Sequence, residues 1–143
     1  MTNDAEQEIR ALIEERVAAV AAKDPEPLAA RQHDDIVVFD VLPPLRSSGR
    51  SAVLDKTEAW FASYSGAIGY EVRELEVTAD GDVGFCSFVY HVSGTLESGD
   101  EVDMWVRATL GCRRIDGAWR IVHDHESVPF DPGTGRALID LEP

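Results

Sequence analysis

Positive charge is what this sequence has least of: 13 lysines and arginines stand against 27 aspartates and glutamates, a formal net charge of −14. A phosphate backbone attracts a basic stripe, so this balance excludes nucleic acid as an expected partner. An anionic membrane surface is excluded for the same reason. Long hydrophobic runs are missing too, and none approaches the ~18 apolar residues that a membrane span needs. The opening "MTNDAEQEIRALIEERV" has no apolar signal core. The expectation is a soluble, cytoplasmic protein with no membrane partner. Cysteine is scarce: Cys86 and Cys112 each sit in an apolar, strand-like run. Buried free thiols of a reducing compartment are expected, with a disulfide between neighbouring strands as the alternative. A chain this acidic accommodates a small neutral or cationic ligand most easily.

What is present is an ordinary globular balance. The 143 residues, 44% hydrophobic and 28% charged, suffice for one domain burying roughly 70% of its unfolded surface. Ile9, Leu12, Ile13, Arg16, Val17 and Val20 follow the helical period and predict a helix over 3–23, capped by Asn3 or Asp4. "KDPEPLAARQ" predicts a short, proline-opened second helix, "DDIVVFD" a strand, and "VLPPLRSSGR" a loop. Val53, Leu54, Thr57, Trp60, Phe61 and Tyr64 mark another long helix over 51–64. Four strands with period two follow, over 70–78, 83–94, 102–115 and 119–130, separated by "ADGD", "LESGDE" and "DGA". Helices first and consecutive antiparallel strands afterwards indicate α+β with segregated layers. The domain is expected to span residues 1–130, with 131–143 as a loosely ordered tail.

Strand alternation also assigns faces. Val102, Met104, Val106, Ala108 and Leu110 share one side of their strand, and Trp105, Arg107 and Thr109 the other. The amphipathic side suits a pocket lining. The aliphatic side then needs cover, which predicts a homodimer packed through the outer sheet face. In "WRIVHDHESVPF", His123 and His125 share parity with Trp119, Ile121 and Ser127. Both imidazoles are therefore expected to face the covered side unless a bulge intervenes, with Arg120, Asp124 and Glu126 opposite.

The stretch "DDIVVFDVLPPLRSSGRSAV" resembles the strand, loop and helix start of the ketosteroid isomerases. "MWVRATLGCRRIDGAWRIVHDHESVPF" is similar to the closing hairpin of SnoaL-like proteins, and both groups belong to the nuclear transport factor 2-like superfamily. The resemblance covers roughly Glu6 to Phe130. It implies a cone in which a curved, mostly antiparallel sheet wraps around the N-terminal helices, leaving a deep apolar pocket in a protein that is usually dimeric. It also implies members of several kinds: isomerases, polyketide cyclases, dehydratases and non-catalytic association modules. Asp40 falls on the general base of the ketosteroid isomerases. The two oxyanion donors of that family, a tyrosine and a protonated aspartate, fall on Arg16 and near Gly111, so neither is present and any donor must lie elsewhere.

The candidates follow from this. Asp40 is the expected base, in an apolar rim of Phe39, Val41, Trp60 and Tyr64. His125, with His123, is the expected acid or oxyanion donor, because imidazole passes protons near neutral pH. Against this stands a bland reading in which the histidines are satisfied core residues bonded to Arg107, Thr109 or Ser127. Arg107 is expected to orient Asp40 or to clamp a substrate acid. Trp60, Tyr64, Trp105, Ser127 and Thr109 complete the expected substrate-binding set, with Phe88 and Tyr90 as further aromatic walls. A metal held by His123, His125 and Asp40 or His91 is geometrically permissive but is not implied by the resemblance, and no cofactor is required. The expected function is acid–base chemistry, as isomerase, cyclase or dehydratase, on a small apolar carbonyl compound. The alternative is a small-molecule-binding or association module of the same fold.

Overall fold

The computed structural model describes residues 4–143. The first helix, α1, runs Asp4–Ala22 and turns Ile9, Leu12, Ile13, Ala19 and Val20 inward, as its spacing requires. Asn3, the other expected cap, lies outside the described residues. Helix α2 (Glu26–Ala30) begins behind Pro25 and carries Pro27 in its first turn, where the missing N–H costs nothing. Strand β1 (Gln32–Phe39) and a two-residue strand β2 (Ser47–Ser48) precede α3 (Arg50–Ala62), which is entered through Gly49 at φ 91°. Four long strands follow: β3 (Gly69–Asp80), β4 (Val83–Thr95), β5 (Glu101–Ile115) and β6 (Ala118–Ser127). The β5–β6 turn places Asp116 and Gly117 at φ 52° and 81°, the paired left-handed geometry of a two-residue hairpin.

The strands form one curved, unclosed sheet in the order β2-β1-β6-β5-β4-β3. All neighbours are antiparallel except β1 and β6, which run parallel and so bring the end of the earliest strand beside the end of the last. Register shifts between Arg73 and Glu76, and between Gly111 and Cys112, bend the long strands. The helices lie along the concave face, α1 against β3 and α3 against β1. No helix among the described residues is long and apolar enough to cross a membrane. Cys86 and Cys112 are free and buried, which excludes the disulfide alternative, and burial pushes their thiols up to about 11 and about 12. Residues 131–143 hold only turns and a single bridge from Phe130 to Ala137.

The faces of β5 are the reverse of the expectation. Val106, Ala108 and Leu110 are buried against the helices, whereas Arg107 and Thr109 are exposed and Trp105 stands on the outer wall beside His91. The physical reason is that an unpaired arginine cannot be buried on a concave face roofed by helices, away from water. The wholly aliphatic row belongs there, and the amphipathic row tolerates solvent. A second copy is therefore not needed to cover that aliphatic row.

Candidate functional site

A bulge decides which side chains of β6 look inward. Gly111 pairs with His123, but the next residue, Cys112, pairs with Ile121, so Val122 is an extra residue. One inserted residue exchanges the two faces. Trp119 and Ile121 are buried before it, and Asp124 and Glu126 are buried after it at 5% and 9% exposure. His123 and His125 consequently lie on the outer wall. His123 Nδ1 donates to the Val37 carbonyl at 2.8 Å, and Phe39 packs edge-on against both rings.

The concave side encloses a cavity of about 340 Å³. Val20, Val38, Val92, Met104 and Val106 supply much of its aliphatic lining, and Trp60 and Tyr64 from α3 and the residues after it add aromatic wall. Asp40 is also in the lining. Its Oδ1 accepts from the Val41 N–H at 2.7 Å, and its Oδ2 lies 3.0 Å from Lys56 Nζ. That ammonium is shut off from solvent and not aligned for a hydrogen bond with any described residue.

Sequence reasoning placed Asp40, Trp60, Tyr64, His123, His125, Arg107, Trp105, Thr109 and Ser127 around one pocket. The structure brings Asp40, Trp60 and Tyr64 together in the cavity. Arg107 bonds Ser127 Oγ at 3.2 Å on the outer wall, not Asp40. Trp105 is stacked on His91 (5.0 Å) with the Arg73 guanidinium 5.1 Å from its ring, and Thr109 is exposed. An outer cleft holding His125 and Ser127 shares Asp40, Val41 and Glu126 with the cavity, so those two candidates sit across a thin wall from it.

The polar heart of the cavity was missed in the sequence. Arg16, from the apolar stripe of α1, donates Nε to the Tyr70 hydroxyl at 3.1 Å, and Nη2 to Asp124 Oδ2 at 3.3 Å and Glu126 Oε2 at 3.1 Å. The Tyr90 hydroxyl donates to Glu126 Oε1 at 2.5 Å, and the rings of Tyr70 and Tyr90 stack at 4.7 Å. Burial opposes the Arg16 charge, but Tyr70, Asp124 and Glu126 outweigh it and hold the guanidinium protonated. Burial, then the charge of Asp124, pushes the Glu126 carboxyl up to about 8 against the pull of Arg16. Burial likewise raises Tyr70 to about 12, so it acts as a hydrogen-bond donor rather than a base. One signal was available: an arginine inside an apolar helical stripe requires buried carboxylates somewhere. Strand parity without the bulge puts Asp124 and Glu126 on the opposite face.

Glu126 makes stability pH-dependent in a definite direction. Its carboxyl titrates near 8 when folded and near 4.5 otherwise, so the folded chain holds the proton more tightly. That contribution is complete below about pH 4.5 and is lost as pH rises through about 8. Urea unfolding of wild type and Glu126→Gln is expected to show the wild type losing ground to the variant between those limits. A difference that is flat with pH would refute the raised value.

Comparison with known proteins matches this architecture. The family profile described as a SnoaL-like domain matches residues 9–131. A nuclear transport factor 2-like protein of unknown function from Pseudomonas putida KT2440 is 37% identical with a TM-score of 0.91, the match covering 100% of this chain and 99% of that one. A ketosteroid isomerase-like protein from Erwinia carotovora atroseptica SCRI1043 shares the fold at 19% identity and a TM-score of 0.75, over 88% of this chain and 97% of that one. A nuclear transport factor 2-like superfamily protein from Salmonella enterica serovar Typhimurium LT2 does so at 18% identity and 0.78, over 93% and 96%. No curated protein matches the chain. With the profile spanning most of its length and the cone around a helix-roofed cavity in place, the chain belongs to the SnoaL-like family of the nuclear transport factor 2-like superfamily.

Proposed function

We propose that the cavity binds a small, largely apolar carbonyl compound and moves protons on it, as an isomerase, cyclase or dehydratase does. The observation that carries this reading is a pair of carboxyl groups lining one largely apolar cavity: Asp40, and the buried Glu126, which burial and the charge of Asp124 raise to about 8. Asp40 takes a proton from the carbon beside the carbonyl, and the electron pair moves onto oxygen. The Tyr70 hydroxyl, whose oxygen already accepts from Arg16, and the Glu126 carboxyl donate to that oxygen. They stand in for the donors missing at Arg16 and Gly111. Return of the proton to another carbon gives isomerisation; loss of a β-hydroxyl, protonated by Glu126 and released as water, gives dehydration.

His123 and His125 have no part in this scheme, because their rings face outward. The test is α-hydrogen exchange of 1-indanone in D2O, followed by proton NMR. The wild type, His123→Ala and His125→Ala are expected to accelerate exchange equally. Exchange lost in either histidine variant would return the chemistry to the outer cleft. Binding without turnover is the second reading, favoured by the guanidinium where the isomerases carry a phenol; it predicts indanone binding with no exchange.

For the outer face we propose self-association as a homodimer. Val83 and Phe85 are 57% and 49% exposed at one end of it, in line with the stacked Trp105 and His91. Sedimentation of wild type against Phe85→Glu checks this: a wild-type monomer, or an unchanged dimer in the variant, would contradict it.

A further inference from the structure

Gln32 opens β1 and is 6% exposed, and it lines the cavity. Its main chain is engaged, the carbonyl accepting from Arg50 Nη1 at 3.5 Å. Its side chain is not: Oε1 is closed off from solvent and has no donor among the described residues. Leaving a buried amide oxygen unpaired costs about 1–3 kcal/mol, which is unusual for a residue at the beginning of a regular strand.

The other buried polar atoms in that state have local explanations or lie elsewhere. Trp119 Nε1 does not face the cavity, Lys56 Nζ stands beside Asp40, and Asp124 shares the Arg16 guanidinium with Glu126. The Arg50 guanidinium reaches the Gln32 main chain and not its Oε1, and the companions of Gln32 in the lining include Val20, Leu28 and Val53. An amide carries one acceptor oxygen and one donor nitrogen, and a hydroxyl complements both. A carboxylate complements only the nitrogen and would add charge to a chain already at −14.

We infer that Gln32 is a specificity-determining residue, and that the compound taken up by the cavity carries a hydroxyl group at the Gln32 end, besides the oxygen held between Tyr70 and Glu126. This rests on the proposed function for the use of the cavity and narrows its substrate class from simple ketones to hydroxylated ones. A site built to hydrogen-bond a hydroxyl rejects the analogue that lacks it, because the amide is then buried unpaired.

The experiment is isothermal titration of the full chain with 1-indanone and with its ring-hydroxylated isomers. At least one isomer is expected to bind the wild type ten times or more as tightly as 1-indanone, one hydrogen bond being worth about that factor. Gln32→Leu and Gln32→Met are each expected to erase the preference, the hydroxylated isomer binding no more tightly than 1-indanone. Equal binding of all probes by the wild type means that the amide is satisfied by water and overturns the inference, whatever the variants do. A preference that survives in a folded variant overturns it too. If no probe binds at all, the carbonyl-binding reading of the cavity fails as well, which separates the two outcomes.

Discussion

Arg16→Met is expected to destabilise the fold by about 3–5 kcal/mol, the cost of removing one partner from a buried ion network. The guanidinium is the shared donor to Asp124, Glu126 and Tyr70, and its side chain is 13% exposed. Without it, Asp124 and Glu126 face each other in an apolar cavity with nothing to offset them. Burial alone does not set the size of the loss, because the methionine stem fills much the same space. The charge left behind does. Arg16→Met combined with Asp124→Asn and Glu126→Gln should therefore recover much of the stability, since replacing a whole buried ionic set is far less damaging than breaking it. Urea unfolding at pH 7 reads both effects. A loss below about 1 kcal/mol in the single variant, the size of a surface ion pair, would show that the cluster is solvated.

Asp40→Asn is expected to cut catalysed α-hydrogen exchange of 1-indanone by about 10²–10⁴-fold, the usual contribution of a positioned general base. The substitution is close to isosteric. The side-chain oxygen that caps the Val41 N–H at 2.7 Å is kept, but the Lys56 ammonium, 3.0 Å away and shut off from solvent, loses its charged partner, so some stability is lost and exchange is compared below the unfolding transition of both proteins. An amide oxygen cannot hold a transferred proton at neutral pH, so the chemistry should fail while binding survives. Exchange retained at the wild-type rate would remove Asp40 from the mechanism.

The order of the helices and long strands was readable because each carries its own period, from the α1 stripe at Ile9, Leu12 and Ile13 to the alternation along β5, whereas the two-residue β2 inside the expected loop is too short to show one. Which face of the sheet is concave was not readable, since it depends on where the helices dock. The apolar row of β5 looked like an interface for that reason. The facing of β6 hinged on one extra residue at Val122, paired with nothing and adjoining the position opposite Gly111. Bulges leave little trace in a hydrophobic pattern, yet this one moved His123 and His125 out and Asp124 and Glu126 in. Asp40 stood out through its place in the resemblance to the ketosteroid isomerases, and Trp60 and Tyr64 through the apolar stripe of their helix; all three line the cavity. Tyr90 read as an aromatic wall and Tyr70 only as the start of a strand. Their polar roles come from Arg16, which bonds Tyr70, and from Glu126, which accepts from Tyr90.

Everything chemical in this account depends on small molecules entering beneath the helices rather than settling on the histidine-bearing wall. Intermolecular NOEs between 1-indanone and the protein test that directly. Contacts are expected from the ligand's ring protons to the Met104 methyl and to the Tyr90 and Trp60 rings, all of which line the cavity. Contacts instead to Trp105, His123 and His125, with none to Met104, would contradict it.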